Sequence, residues 1–316
     1  MSRYKNFINL IVFAFIVLLT YNPSYNVFTT NDVESLKSVS VMNINDSLYK
    51  EIETKKSKYE VEPQDAFIDE VWHKTPGLNG LQVDIEKSYN KMKKQGEFSE
   101  SLLVYKQVPP KVSLEDLPAS PIYRGHPEKK MVSFLINVSW GGEFIPDILT
   151  ILKKNNVKAT FFIEGKWAKE NANYVKMINE QGHTIGNHAY NHPDMARLSN
   201  TAISKQLTQT NDVLEAITGK KTKWFAPPSG SFSDQVVKTA NQLDMETILW
   251  TVDTIDWKNP SVSVMMNRVT RKIHPGATIL MHPTSSIVNG LPNLIEEIRN
   301  QGYKLGSIEQ LLDEKR

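Results

Sequence analysis

From Met131 onward the chain alternates short apolar runs with longer stretches whose apolar residues recur at helical spacing. "MVSFLIN" is followed by "FIPDILTILKKNN", "ATFFIEG" by "KWAKENANYVKMINEQ", and "HTIGNH" by "NTAISKQLTQTNDVLEAIT". "TKWFAPP", "DQVVKTANQL", "ETILWTVD", "PSVSVMMNRVTRKI", "ATILMHP", "LPNLIEEIRNQ" and "KLGSIEQLL" continue the alternation to the end of the chain. About seven such units predict an α/β fold in which a parallel sheet with crossover helices closes into a barrel. Polar residues at the C-terminal ends of the strands are then the ones to test for convergence.

Upstream the pattern is different. Residues 48–108 predict a small α+β module. A helix over "SLYKEIETKKSKY" carries Leu48 and Ile52, "TPGLNG" is a turn, and Leu81, Val83 and Ile85 alternate. A second helix over "EKSYNKMKKQ" and a short strand over "LLVYKQV" complete the module. Residues 109–130 hold Pro109, Pro110, Pro118, Pro121 and Pro127 and read as an extended linker wrapping onto the next domain. Residues 29–47 are polar and aperiodic, a tether. Ahead of them Arg3 and Lys5 precede the uncharged run "FINLIVFAFIVLLTY" at residues 7–21. That run predicts a signal peptide or an uncleaved signal anchor within residues 1–28, which places the rest of the chain outside the cytoplasm.

Composition narrows the choices. A formal net charge of +2, from 37 basic and 35 acidic residues, offers no concentrated basic face for nucleic acid. With no cysteine there is no disulfide framework and no thiolate metal site, so a transition metal would have to use histidines and carboxylates.

The strand ends deliver Asn137 and Trp140, Glu164, the runs "GNHAYNH", "FAPPSG" and "TVDTIDW", and His282. His188 and His192 stand four apart, a spacing that turns two imidazoles toward one ion if the loop coils like a helical turn. His282 ends an apolar strand and suits a general acid if a carboxylate, Asp256 or Asp253, holds its other ring nitrogen. Trp140 and Trp257 could floor a sugar site.

Taken together, "KATFFIEG", "GHTIGNHAYNHPD", "APPSG", "VDTIDW" and "ILMH" resemble, in order and spacing, the polysaccharide deacetylases that share the NodB homology domain. The resemblance covers about residues 131–312, and the domain is expected over 131–316. It implies a distorted (β/α) barrel that removes acetyl groups from a glycan, a hydrolase of non-peptide carbon–nitrogen bonds, with a divalent metal: zinc, or cobalt, nickel or manganese. "INVSWG" is similar to the first motif of the membrane-anchored, sporulation-associated branch of Bacillus, which implies cell-wall glycan as partner and the envelope or forespore as location. By the same resemblance His188 and His192 are the metal histidines, His282 is the general acid, Asp256 is its partner, and Trp257, Pro227 and Pro228 belong with Trp140 to the substrate site.

Two departures stand against that reading. The family's first motif has a catalytic-base aspartate followed by a metal-ligand aspartate, where this chain has Asn137 and Val138. Its third motif has an arginine where this chain has Ala226. A carboxamide orients water but cannot take its proton, and losing a general base costs roughly 10² to 10⁴ in rate. Without the ligand at Val138, two neutral imidazoles would hold a metal weakly. Glu143 and Asp194 are the acids nearest in sequence to replace what is missing. The expectation is a deacetylase-family protein of weak or lost activity, or a non-catalytic glycan-binding or wall-scaffold protein.

Overall fold

The computed structural model describes residues 11–13 and 46–316. The expected signal segment, apart from the helical residues 11–13, and nearly all of the tether lie outside the described residues. Among the described residues no helix is long and apolar enough to cross a membrane.

The strands, in chain order, are β1 (Phe67–Asp69), β2 (His73–Thr75), β3 (Gly80–Val83), β4 (Tyr105–Val108), β5 (Met131–Val138) and β6 (Thr160–Ile163). They continue with β7 (Thr184–Asn187), β8 (Trp224–Phe225), β9 (Glu246–Thr247), β10 (Val252–Asp253), β11 (Thr278–Met281) and β12 (Lys304–Gly306). A curled parallel sheet runs β10-β11-β5-β6-β7-β8-β9. β12 joins the first half of β5, pairing with Met131 to Ser133, while β6 takes Leu135 to Val138. Helices cover the outside, which gives the barrel expected from the alternation, in the distorted (β/α) form that the family resemblance implies.

β5 shows why its sequence is apolar almost throughout. Phe134, Ile136 and Val138 pack outward on the helices Ile145–Lys154 and Ser285–Asn300, through Ile148, Leu149, Leu291 and Leu294. Leu135 points the other way and meets Phe162, Ala226 and Ile248 inside the barrel. A strand buried on both faces has no polar face to alternate with, so the one polar side chain near its end, Asn137, stands out.

The barrel closes in an unusual way. Its two edge strands, β9 and β10, belong to one bent stretch of chain, with only residues 248–251 between them. The gap is sealed from outside. Ile122, fully buried, bridges to Ile248 on one side and to His73 on the other. Its amide donates to the Thr247 carbonyl (2.8 Å), and the Leu249 amide donates to its own carbonyl (2.8 Å). Gly125 donates to the Gly276 carbonyl, and the Thr278 hydroxyl donates to the Tyr123 carbonyl. The last part of the expected linker, residues 121–126, is therefore built into the barrel.

The upstream module has its own core of Leu48, Ile52, Val83, Met92 and Leu103. Its helices, Ser47–Lys55 and Ile85–Met92, are N-capped by Asp46 and Asp84. β3 and β4 pair antiparallel, and β4 begins at Tyr105, after a short 3-10 turn. The hairpin of β1 and β2, three residues each, had no signal in the sequence pattern. It carries Lys74, almost fully buried, to a 2.6 Å ion pair with Glu246 of β9.

Candidate functional site

The C-terminal ends of the strands surround a cleft of ≈ 320 Å3 lined by Asn137, Ser139, Trp140, His188, His192, Ser229, Trp250, Asp253, Trp257, Leu280 and His282. This volume is near the lower end of the range for small-ligand sites, about 300–1,000 Å3.

His282 follows β11 directly and is held by Asp256. The carboxylate accepts from the ring Nδ1 (2.9 Å), from the His282 backbone amide (2.8 Å), and from the hydroxyls of Thr254 (2.9 Å) and Thr284 (3.1 Å). Asp256 is fully buried, and these four donors replace the water it has lost. Because a carboxylate accepts, Nδ1 donates, and Nε2 is left to face the cleft. Asp256, and not Asp253, is the partner of His282. The Trp140 indole lies parallel to the imidazole, 8° between planes and 5.9 Å between centroids. Gly141 makes this stacking possible. It has φ 73°, and a Cβ there would stand 2.2 Å from the Pro283 carbonyl oxygen.

His188 and His192 come together with ring centroids 5.2 Å apart, but not on a helical turn. The loop instead turns through left-handed Ala189 (φ 59°) and His192 (φ 56°). Asn187 anchors it, accepting from the Ala189 amide and donating to the Leu207 carbonyl and to Asn211, while Gln206 accepts from the Tyr190 amide. His188 Nδ1 is 2.7 Å from the Ala226 carbonyl oxygen, which fixes the proton there and leaves Nε2 as a lone-pair donor. Burial pushes this imidazole down to about 3, with His192 adding to the effect, so it is neutral at ordinary pH. Burial also lowers His192.

The two imidazoles are thus arranged as ligands, but the set is incomplete. Val138 lies fully buried in the outer core and contributes nothing to the cleft. Strand alternation explains this: with Asn137 facing inward, its neighbour must face outward. Glu143 is exposed outside the cleft lining. Asp194 is exposed too, pairing with Arg197 (3.0 Å) and accepting from Ser231. Neither supplies a third ligand or a base. Among the described residues no group of three or more His, Cys, Asp or Glu side chains converges as a metal would require, so a three-ligand centre does not fit this chain.

Asn137 is buried, and its Oδ1 has no hydrogen-bond partner. Ala226, just after β8, packs in the barrel interior with Leu135 and Phe162. Glu164, at the end of β6, is half-buried outside the cleft lining. Burial raises its carboxyl, opposed by the nearby Ser139 hydroxyl. Pro227 and Pro228 are buried behind the wall and do not line the cleft. The residue they present is Ser229, at φ 53°. Trp250, Ser139 and Ser229 are cleft residues that the motif reading did not single out. Trp250 sits in the bent stretch between β9 and β10, where the pattern shows only one more apolar residue.

A distorted barrel with a buried Asp–His pair and two histidines at one mouth agrees with the polysaccharide deacetylase resemblance of the sequence motifs. The family model described as polysaccharide deacetylase matches residues 124–248. The uncharacterized protein YlxY of Bacillus subtilis strain 168 is 49% identical over 315 residues, 99% of each chain. The peptidoglycan-N-acetylmuramic acid deacetylase PdaA of the same strain is 31% identical over 198 residues, 61% of this chain and 75% of PdaA. Among solved structures, wild-type BA3943 of Bacillus anthracis, described as a CE4 family pseudoenzyme, is 56% identical with a TM-score of 0.82, covering 85% of this chain and 96% of that one. A BA3943 mutant described as having restored enzymatic activity superposes equally well, with a TM-score of 0.82. The chain belongs to the polysaccharide deacetylase family.

Proposed function

We propose that the cleft engages cell-wall glycan of the peptidoglycan type and that deacetylation there is weak or lost. The observation that carries this reading is the inner wall of β5, where the inward residue is a carboxamide with an unpartnered oxygen and the next residue is core. Amide hydrolysis needs water to lose a proton as it attacks and the leaving nitrogen to gain one. His282, oriented by Asp256, is placed for the second task. Asn137 has no proton-accepting form for the first. PdaA is named for its action on peptidoglycan and BA3943 is called a pseudoenzyme; this chain is similar in sequence to the first and shares the fold of the second.

The retained features serve binding. Trp140 and Trp257 are about half exposed at the rim, a geometry for stacking on sugar rings. Zinc, cobalt or nickel would meet only His188 and His192, so a weak, readily exchanged ion is expected. The basic, apolar N-terminal run supports placement outside the cytoplasm, by an anchor or by secretion, at the envelope or forespore. The test is saturable binding of N-acetylated peptidoglycan oligosaccharides measured alongside acetate release, with His282→Ala as control. Binding without release that depends on His282 is expected. No binding to any such glycan would overturn the reading.

A further inference from the structure

We propose that the cleft selects hexosamine units that have already lost their acetyl group, with Asp253 as counter-ion to the free ammonium. The inference rests on the glycan reading above and assigns the form of the sugar recognised. Asp253 ends β10 and is the one carboxylate among the residues lining the cleft, where no lysine or arginine stands. One of its oxygens accepts from the Ile255 amide (2.7 Å), which fixes the carboxylate on the left-handed Ile255 turn (φ 51°). Among the described residues it has no ion-pair partner, so its other oxygen is free for a donor.

The rest of the lining asks for the same chemistry. Asn137 brings a carboxamide whose oxygen has no donor, and a half-turn about its last side-chain bond exchanges the ends that it shows to the cleft. Trp140, Trp250 and Trp257 supply aromatic faces, which attract ammonium groups. The rim shows this contact: the Lys258 ammonium lies 4.8 Å from the centre of the Trp257 ring. An N-acetylated sugar would bring no positive charge to the Asp253 carboxylate. A free amine is protonated in mildly acidic solution and brings three donors and a charge. A charge-assisted bond of this kind is expected to favour the amine about tenfold or more.

The test is calorimetry on the full chain with glucosamine oligomers and N-acetylglucosamine oligomers of equal length, in mildly acidic, low-salt buffer. Tighter binding of the glucosamine oligomer by about tenfold, shrinking at high salt and erased by Asp253→Asn, is the expected result. Asparagine keeps the acceptor for the Ile255 amide, so that variant retains the turn. Equal or tighter binding of the acetylated oligomer by the wild type, or a preference that survives Asp253→Asn, would overturn the inference and leave the glycan reading intact. Binding of neither oligomer would overturn both.

Discussion

Asn137 and Val138 are neighbours in sequence but belong to different parts of the molecule. One faces the cleft and the other lies in the core beneath the helices. Val138→Asp is therefore expected to bury an unpaired carboxylate and to cost about 3 kcal/mol or more, read as a lower denaturant midpoint, without giving the cleft a ligand. The family resemblance puts Asn137 and Val138 where the two acids are expected; of the pair only Asn137 reaches the cleft, because strand side chains alternate. His183 carries a second residue-scale prediction. It is buried edge-on against Phe161, and its Nδ1 accepts from the Ala159 amide, a bond only a neutral ring can accept. Burial lowers it to about 4. Because the folded value lies below the unfolded one, the unfolded chain takes up the proton first, and stability is lost as pH falls from about 6.5 toward 4. Thermal unfolding should show a lower Tm at about pH 5 than at about pH 7.5, by a smaller margin in His183→Asn. An equal margin would remove His183 as the cause.

The loops at the strand ends do what the strands cannot. The histidine spacing was legible, but its geometry was not, because left-handed residues such as Ala189 and His192 carry no mark in the sequence. Pro227 and Pro228 drew attention as motif residues, yet their rigid backbone serves to push Ser229 forward into the cleft. The Trp140–Gly141 turn was visible as a glycine pair, and its purpose appears only against Pro283. Gly141→Ala is expected to force the turn away from Pro283, unstack Trp140 from His282 and cost about 1–2 kcal/mol through the positive φ alone. Tryptophan fluorescence together with oligosaccharide affinity checks this, and unchanged spectra with unchanged affinity would mean that the turn tolerates a side chain. Trp250 carries no mark of its role either, since a lone tryptophan in an apolar stretch looks like core.

At the scale of the whole molecule, the alternation made the barrel legible but not its closure. A single bent stretch forms both edges, and the seam depends on Ile122, Tyr123 and the β1–β2 hairpin, none of which has a strong strand pattern. The upstream module is thus a brace for the wall that carries Trp250 and Asp253. Removing residues 46–123 should leave an open barrel that fails to fold cooperatively. Lys74→Met should cost about 3 kcal/mol by stranding Glu246, as read by chemical unfolding, and Lys74→Met with Glu246→Met should recover much of that loss. The account of function turns on Asn137, and the most direct test is acetate release from N-acetylated peptidoglycan oligosaccharides, with zinc present, by the wild type and by Asn137→Asp. The expected result is release at or barely above blank from the wild type and, from the variant, clearly higher release that disappears when His282→Ala is added. Wild-type release that equals the variant's and depends on His282 would contradict this reading, and silence from both would place the loss in the incomplete metal set as well as at Asn137.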